Sequence, residues 1–230
     1  MSKHRAHSNG GRTEFFLAFQ TCFGHSQDLD RIRNDMPDDR AWKKIAPVDD
    51  HISVAFLGAL GKKGRRDLTD LVDEFCRAAD PVKLSFRNLY LFENAPRVIE
   101  SSFCPEGTKG SLAAFLDPVN AAQLQAFRRE LIIQILKPNK FEYGYGPFMP
   151  HNTLARIKRL SEQEGNIADF IKKHGEMKTP EYIYTHLTLF QRNENSNDDS
   201  KYEVVATFPF RNLTPYRRNS HEEMAQLSRQ

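Results

Sequence analysis

The sequence predicts a mixed α+β protein, and the order of its predicted elements indicates that class. A strand, a helix, a strand that begins with His-x-Ser, a helix and further strands fill the first half of the chain. The same order returns in the second half around a strand that begins with His-x-Thr. Strands and helices mixed in this way are typical of the α+β class. No sequence period of 20–50 residues is visible, so a solenoid is excluded and a twofold pseudo-repeat of elements is expected.

Composition agrees with an ordinary globular chain. Of the 230 residues, 39% are hydrophobic and 27% are charged, and this length buries a core without disulfides or metals. No apolar run approaches the ~18 residues of a membrane span. Three scattered cysteines, Cys22, Cys76 and Cys104, suit neither a disulfide framework nor a zinc site, so a reduced, cytoplasmic protein is expected. The net charge of +3 permits a nucleic-acid or phosphate partner without requiring one.

Three segments are expected along the chain. Residues 1–12 are polar, end in Gly-Gly-Arg and contain basic but no acidic side chains, which predicts a disordered basic tail. Residues 13–213 are expected to form a single domain. Residues 214–230 are expected to form a polar C-terminal tail.

The first half begins with strands predicted at 13–19 and 51–57, where apolar and aromatic residues dominate. Between them, a short helix is expected to begin at Ser26 and to bury Leu29, Ile32 and Met36. A basic loop is expected at 58–64, and Asp67 is expected to cap an amphipathic helix. The apolar side chains of that helix recur at helical spacing: Leu68, Leu71, Val72, Phe75 and Ala79.

The second half contains the longest predicted helix, which Pro118 opens. Its apolar stripe consists of Leu124, Phe127, Leu131 and Ile135. An aromatic loop rich in Gly and Pro follows at 138–150, and a helix is expected at 161–173. The remaining strands are predicted at 82–92, 97–103, 111–116, 151–157, 182–190 and 202–208.

Three histidines open a repeated four-residue pattern. The segments are His51-Ile-Ser53-Val, His151-Asn-Thr153-Leu and His186-Leu-Thr188-Leu. Side chains at positions i and i+2 of a strand emerge on one face, roughly 6.6 Å apart. Each segment therefore directs an imidazole and a hydroxyl to the same side.

Two such strands facing one another would line a cleft suited to phosphodiester chemistry without a metal. A neutral histidine removes the proton of an attacking water or hydroxyl, and a protonated one supplies a proton to the leaving oxygen. Hydroxyls and a nearby arginine hold the non-bridging phosphate oxygens. The ordinary histidine pKa of about 6.5 allows both protonation states near neutrality.

The two motifs carry a resemblance to a known family. Residues 51–58, His-Ile-Ser-Val-Ala-Phe-Leu-Gly, resemble the first motif of the LigT-like branch of the 2H phosphoesterase superfamily, the RNA 2′,3′-cyclic phosphodiesterases or 2′-5′ RNA ligases. Residues 150–156, Pro-His-Asn-Thr-Leu-Ala-Arg, resemble the second motif. The resemblance covers roughly residues 13–213 and implies a bilobed α+β fold, in which two pseudo-symmetric antiparallel sheets line a central cleft with helices outside.

The same resemblance implies an activity and a set of site residues. The activity is metal-independent cleavage of a 2′,3′-cyclic phosphate at an RNA end or in an oligonucleotide to a 2′-phosphate, with reversible joining of RNA ends in some members. No cofactor is implied, and a monomer is expected. His51 and His151 become the acid and base, with His151 favoured as the base, although the reverse assignment stays open. Ser53, Thr153 and Arg156 become the groups that bind the phosphate.

Three departures from the family pattern are visible. Ser53 stands where Thr is usual, which keeps the hydroxyl. Asn152 stands where an apolar residue is usual, so that side of the strand is not expected to be a purely apolar core. The segment 88–110 is longer than expected, which leaves substrate length and specificity open.

His186 matches the short pattern but is expected to have a structural or surface role. It lies 35 residues after His151, whereas His51 and His151 are 100 residues apart, the spacing expected for one motif in each pseudo-repeat. In the resemblance, His186 falls on the strand after the second motif, where no catalytic histidine is expected.

Aromatic residues near the second motif are candidates for contact with RNA. Residues 137–160 combine several cations with aromatic side chains, a mixture typical of single-stranded RNA binding. The alternative is that these rings pack the loop and the cations are solvated. The candidates for base stacking are Phe16, Tyr143, Tyr145 and Phe148.

A metal site and other functions were weighed against this interpretation. Asp49 and Asp50 precede His51, but neighbours on a strand alternate faces, so no metal is expected. Neither GxxxxGK[ST] nor GxGxxG occurs, so an ATP-driven ligase or a dinucleotide enzyme has no support. A phosphodiesterase of 2′-5′ oligoadenylates or other signalling nucleotides, and a non-catalytic nucleotide- or RNA-binding module, stay open.

Overall fold

A computed structural model describes residues 14–93, 109–144, 147–192 and 200–211. The expected tails at 1–12 and 214–230 and the predicted strand at 97–103 lie outside the described residues. These ranges contain four α-helices: α1 (Phe23–Asn34), α2 (Lys62–Ala78), α3 (Pro118–Leu131) and α4 (Glu164–His174). The same ranges contain ten strands: β1 (Glu14–Gln20), β2 (Trp42–Lys44), β3 (His51–Ala59), β4 (Val82–Leu84), β5 (Phe86–Glu93), β6 (Gly110–Leu116), β7 (His151–Ile157), β8 (Tyr182–Tyr184), β9 (His186–Arg192) and β10 (Tyr202–Pro209).

Eight of these strands form an antiparallel sheet in the order β10-β9-β1-β3-β7-β6-β5, with β2 paired to β7. Strands β4 and β8 form a separate two-stranded sheet. Among the described strands, the pairing of β3 with β7 at Ile52 and Asn152 joins the two halves of the large sheet. This arrangement confirms the predicted α+β class, and it places the two motif strands side by side at the junction of the halves.

The two motif strands share one irregularity. In β3 the pairing with β1 skips Val54, and in β7 the pairing with β6 skips Leu154. Each is a β-bulge, an extra residue that bends and twists its strand. From the first histidine onward, both strands also show the same order of buried and exposed positions over seven residues. The predicted pseudo-repeat is therefore visible in the local geometry of the motifs.

The main core lies on the face of the sheet opposite the motif histidines. Ile52 is fully buried there, as are Leu17 of β1 and Leu112 of β6. Helices α2 and α3 cover this face with Leu68, Val72, Leu124 and Leu131. A smaller cluster of Phe16, Ala18 and Phe190 lies on the other face of the sheet, packed against Tyr202.

Helix α1 joins the core to the start of the first motif strand. The Arg33 guanidinium forms an ion pair with Asp50, the residue before His51, and both side chains are buried. Burial of a charge is costly unless it is paired, so this contact fixes the approach to β3. Leu29 and Ile32 of the expected apolar face are buried in the helix, and Met36 is buried just beyond its end at Asn34.

Several predicted boundaries were wrong. Helix α1 begins at Phe23 with Cys22 at its N-cap, so Ser26 lies inside the helix. Helix α2 begins at Lys62 with Gly61 at its N-cap, so residues 62–64 of the predicted basic loop lie in its first turn and Asp67 lies inside the helix. Gly58 and Ala59 of that loop belong to β3. The amphipathic pattern starts only at Leu68, because the first turn faces solvent and carries no apolar signal.

Other differences concern short strands. The predicted strands 82–92 and 182–190 each divide into two, because β4 and β8 leave the main sheet to pair with one another. Strand β2 is not among the strands predicted from the sequence. It is three residues long, and it forms through pairing with β7 rather than through a local pattern. None of the helices in the described part of the chain is both long and apolar enough to cross a membrane.

Candidate active site

The antiparallel register at the junction brings the two motifs together. Because Ile52 pairs with Asn152, His51 lies across from Thr153, and His151 lies across from Ser53. Ile52 and Asn152 point into the buried face, so the four motif side chains share the opposite face. All four are partly exposed there. The result is a patch of two imidazoles and two hydroxyls.

The two imidazoles are oriented by the same kind of hydrogen bond. His51 Nδ1 lies 2.7 Å from the carbonyl oxygen of Asp49, and His151 Nδ1 lies 2.7 Å from that of Met149. A carbonyl only accepts, so Nδ1 carries the proton in both rings. The neutral form of each ring therefore has its Nε2 lone pair available to accept a proton.

Burial and neighbouring charges disfavour the protonated form of both histidines. Desolvation by burial lowers the pKa of His51, and the charges of His151 and Arg156 lower it further. The Asp49 carboxylate and carbonyl act in the opposite direction on His51. Burial is also the largest cause of the lowered pKa of His151, followed in the same direction by Arg156. Both rings are therefore mostly neutral at pH 7 in the free protein.

Aromatic rings surround His51. Its ring centroid lies 5.0 Å from those of Phe16 and Tyr202 and 5.9 Å from that of Phe190. Phe16 stacks on Phe190 and also lies 6.0 Å from the ring of Phe56. One predicted stacking candidate, Phe16, therefore lies directly beside a motif histidine, and its use in stacking stays a prediction.

His151 has a smaller aromatic neighbourhood. The ring of Phe115, which pairs with His151 across β6 and β7, stacks at 5.8 Å between centroids. Tyr90 meets Phe115 edge-on at 4.9 Å and is exposed. Neither ring was singled out in the sequence. For Phe115, the sequence indicated only a place in the predicted strand 111–116. Its position beside His151 depends on the pairing of β6 with β7.

Beyond its bulge, each motif strand places one more side chain on the face that carries the motif histidines, and this residue differs between the two strands. It is Arg156 in β7 and Phe56 in β3, and both are exposed. Arg156 thus lies on the same face as Thr153, as the resemblance implies for a phosphate contact. Phe56 is 60% exposed. It could have been identified from the sequence, because it holds in the first motif the position that Arg156 holds in the second.

Two lysines beside Arg156 were not anticipated from the sequence. Lys43 of β2 pairs directly with Arg156, so both side chains leave the sheet on the same face. Lys201 lies near both cations, and its backbone N–H donates to the Asp49 carboxylate at 3.0 and 3.1 Å. The residues are far apart in the sequence, so only the fold reveals the cluster.

Other predicted residues lie elsewhere. Tyr143 and Phe148 are partly buried against the main core, and the Arg128 guanidinium lies 4.8 Å above the Phe148 ring. Tyr145 lies outside the described residues. His186 is exposed at the start of β9, where its Nδ1 lies 2.7 Å from the hydroxyl of Thr185. Among the described residues, no group of three or more His, Cys, Asp or Glu side chains could hold a metal ion.

Comparison with known proteins relates this fold and site to others. The chain is 24% identical over 199 residues to the RNA 2′,3′-cyclic phosphodiesterase of Bacillus subtilis (strain 168). The alignment covers 86% of this chain and 96% of that protein. The chain is 23% identical over 196 residues to the protein of the same name from Methanothermobacter thermautotrophicus, across 76% of this chain and 97% of the relative. No protein-family profile matches the chain.

Solved structures show the same fold. TT0787 of Thermus thermophilus aligns with a TM-score of 0.57 and 16% identity over 86% of this chain and 98% of that one. Escherichia coli LigT, in complex with NADP+, aligns with a TM-score of 0.55 and 15% identity over 87% and 99%.

The fold is that of the LigT-like 2H phosphoesterases. The relatives and the structural neighbours support the resemblance to this family that the two motifs carry.

Proposed function

We propose that this protein is an RNA 2′,3′-cyclic phosphodiesterase that opens the cyclic phosphate to a 2′-phosphate by two-histidine acid–base catalysis. The observation that carries the proposal is the register at the junction of the sheet, which places each motif histidine across from the hydroxyl of the other motif. The identical orienting bonds of the two rings add to it, since they leave both Nε2 atoms for proton transfer.

The proposed reaction uses one histidine in each protonation state. Neutral His151 takes a proton from water through Nε2 as the water oxygen attacks phosphorus. The bond between phosphorus and O3′ breaks, and protonated His51 supplies the proton that O3′ gains. The Asp49 carboxylate supports this assignment, because its charge favours the protonated form of His51, while the Arg156 cation disfavours protonation of both rings.

Charge on the phosphate is held by the remaining motif groups. The hydroxyls of Ser53 and Thr153 donate to the non-bridging oxygens, and Arg156 neutralises charge that develops on them. Binding an anionic phosphate also favours the imidazolium form of one ring, which the free site disfavours. With a 5′-hydroxyl of a second RNA end in place of water, the same step would form a 2′-5′ phosphodiester as the bond between phosphorus and O3′ breaks and O3′ gains a proton. The reverse of that step would regenerate the cyclic phosphate and the free 5′-hydroxyl, as in a reversible ligase.

The relatives support the substrate class. Two proteins named RNA 2′,3′-cyclic phosphodiesterase align over nearly their whole length. Escherichia coli LigT has been solved in complex with 3′-AMP and with phosphate, so a neighbour with this fold accommodates nucleotide phosphates.

Hydrolysis of 2′,3′-cyclic AMP by four proteins tests the proposal. His51→Ala and His151→Ala should each lower kcat by about 10²–10⁴-fold, the usual contribution of general acid–base catalysis. The matched control is His186→Ala, which removes a histidine from the same sequence pattern and should leave kcat within about twofold of wild type. The product of the wild-type reaction should be the 2′-phosphate.

Contrary results are equally specific. A loss in His186→Ala as severe as that in His51→Ala would mean that the wrong motifs were paired. Activity that disappears with EDTA and returns with a divalent ion would rule out the metal-independent mechanism. Turnover of 2′-5′-linked oligoadenylate without turnover of any cyclic phosphate would replace the substrate assignment.

A further inference from the structure

We propose that Lys43 and Lys201, beside Arg156, bind a second phosphate: the backbone phosphate on the 5′ side of the terminal nucleotide. The site would then prefer an oligonucleotide end to a cyclic mononucleotide. This inference rests on the proposed function, because it locates the reacting phosphate at the two motifs.

The position of Lys43 follows from strand pairing. Strand β2 runs antiparallel to β7, and Lys43 pairs with Arg156. Directly paired residues project from the same face of a sheet, with Cβ atoms roughly 4.5–5.5 Å apart. Lys43 is exposed, so its ammonium group extends beside the guanidinium on the face that carries the motifs.

Lys201 is held in place by its backbone. The Asp49 carboxylate accepts the Lys201 N–H and the Ser200 hydroxyl, and the carbonyl of the same residue orients His51. The Lys201 side chain is partly buried. Its pKa lies below the ordinary value because of desolvation, and then because of the positive charges of Lys43 and Arg156.

The positive charges of Lys43, Arg156 and Lys201 are only partly compensated by negative charge nearby. Among the residues that the structure describes, none of Lys43, Arg156 and Lys201 forms a salt bridge. The nearby Asp49 carboxylate raises the pKa of Lys201, but its oxygens already accept the bonds from Ser200 and Lys201. Three cations held together with one carboxylate repel one another, and an anionic ligand relieves that repulsion.

The spacing along β7 suits an adjacent phosphate. Thr153 and Arg156 are separated by a bulge, so they lie roughly 7–10 Å apart at 3.3 Å per residue. A single extended nucleotide bridges a gap of this order. With the cyclic phosphate between His51, His151 and Arg156, the preceding phosphate would reach the two lysines that lie beside Arg156. Such contacts by Lys and Arg track a single-stranded backbone without reading sequence.

Kinetics on two substrates test the second site. The substrates are 2′,3′-cyclic AMP and the dinucleotide ApA that ends in a 2′,3′-cyclic phosphate. The Lys43→Met/Lys201→Met protein should lose about tenfold or more of kcat/KM for the dinucleotide and stay within about twofold of wild type for the mononucleotide. Methionine keeps the length of the side chain, and the Lys201 N–H remains to bind Asp49.

A matched control lies on the same strand. Lys44 is exposed but pairs with Ala155, so it leaves β2 on the opposite face from Lys43. Lys44→Met removes the same charge and should leave both substrates unaffected. In the wild type, the logarithm of dinucleotide affinity should fall more steeply with the logarithm of salt concentration than in the double variant, by about 0.7 for one phosphate contact.

Direct binding separates this inference from the proposed function. Fluorescence anisotropy with labelled ApA that ends in a 3′-phosphate needs no turnover. If wild type hydrolyses neither cyclic phosphate, the proposed function fails, while weaker binding by the double variant than by Lys44→Met still supports the second phosphate site. Equal losses on both substrates, or unchanged dinucleotide binding in the double variant, would overturn the inference.

Discussion

Phe56 occupies in one half of the sheet the position that Arg156 occupies in the other. Each is the exposed residue that follows the bulge in its motif strand, and each lies on the face of the motif histidine. The two halves therefore match in their imidazoles and hydroxyls but differ in this side chain. The pseudo-symmetric scaffold therefore carries a cation on the motif face of β7 and an aromatic ring at the equivalent position of β3.

Replacing Arg156 should impair catalysis rather than folding. We expect Arg156→Met to lower kcat for a cyclic phosphate by about 10²–10³-fold, because a charged donor aimed at a developing oxyanion is lost. Arg77→Met, which removes an exposed cation of helix α2, is the control and should behave as wild type. Unchanged kcat in Arg156→Met, measured under saturating substrate, would remove Arg156 from the phosphate site.

Replacing Phe56 should affect binding more than turnover. If the exposed ring stacks on a base, Phe56→Leu should raise KM by about fivefold or more, because base–aromatic stacking contributes ~1–3 kcal/mol. The value of kcat should change little, since the ring carries no proton and no charge. A fall in kcat at constant KM would show that Phe56 supports the geometry of β3 instead.

The pH dependence of kcat/KM should form a bell whose optimum lies below about pH 6.5. Both histidine pKa values are lowered in the free protein, chiefly by burial, so the required imidazolium is lost already as pH rises towards neutrality. The base becomes protonated only at still lower pH. Because bound phosphate favours the imidazolium, the profile of kcat should lie at higher pH than that of kcat/KM. Coincident profiles, or an optimum of kcat/KM above pH 8, would contradict this account.

The sequence predicted the common face of the motif side chains better than it predicted the residues around them. The i and i+2 spacing of His51 with Ser53 and of His151 with Thr153 is a local property of strands, so their common face could be predicted. Their mutual approach could not be derived from spacing alone, because it depends on the pairing of Ile52 with Asn152 across a hundred residues. That expectation came from the resemblance to a family.

Residues brought in by non-local pairing were not predictable. Lys43 lies on a three-residue strand with no pattern of its own, and Lys201 reaches Arg156 only because Asp49 holds its backbone. Asn152 shows the reverse case: its polarity was recognised in the sequence. It is fully buried, and its Nδ2 donates to the Thr21 hydroxyl at 2.8 Å, a partner that only the fold supplies.

Arg128 should act as a positioning residue for His151. Its Nε donates to the carbonyl of the bulge residue Val54 at 2.8 Å, and its Nη2 donates to the carbonyls of Tyr143 and Gly144 at 3.2 Å. It thereby ties the first motif strand to the segment that leads to Met149, whose carbonyl orients the His151 ring. Arg128→Met should lower kcat about 10–100-fold with little change in KM, because small displacements of catalytic groups are costly.

The neighbouring Arg129 on helix α3 provides the control, because it is exposed. Arg129→Met should retain wild-type kinetics and stability. The pH profile distinguishes positioning from general destabilisation. A displaced His151 ring should shift the pH values at which kcat/KM rises and falls in Arg128→Met. Partial unfolding would lower kcat/KM by the same factor at every pH. An unchanged profile with a reduced folded fraction would assign Arg128 a structural role alone.

His25 should make the fold sensitive to acid. This histidine is fully buried, with Nδ1 at 2.6 Å from the Tyr184 hydroxyl and Nε2 at 3.1 Å from the Thr179 hydroxyl. Burial lowers the pKa of His25 to about 4, against an ordinary value of 6.5. Between these two values the unfolded chain binds a proton that the folded protein does not. The free energy of unfolding should therefore fall as pH falls from 6.5 to 4, by about 3 kcal/mol from this residue.

Urea unfolding at a series of pH values measures this slope directly. His25→Gln should be less stable than wild type at pH 7, because it loses ring contacts with Phe86 and Tyr182, but its stability should depend less on pH between 6.5 and 4. His51 and His151 contribute in the same direction, so part of the slope should remain. His186 serves as the comparison: desolvation lowers its pKa as well, but it is exposed at the start of β9, so His186→Gln should keep more of the wild-type slope than His25→Gln. If His25→Gln shows the wild-type slope as well, the acid sensitivity has another origin. That result would mean that the pKa of His25 in the folded protein is close to its value in the unfolded chain.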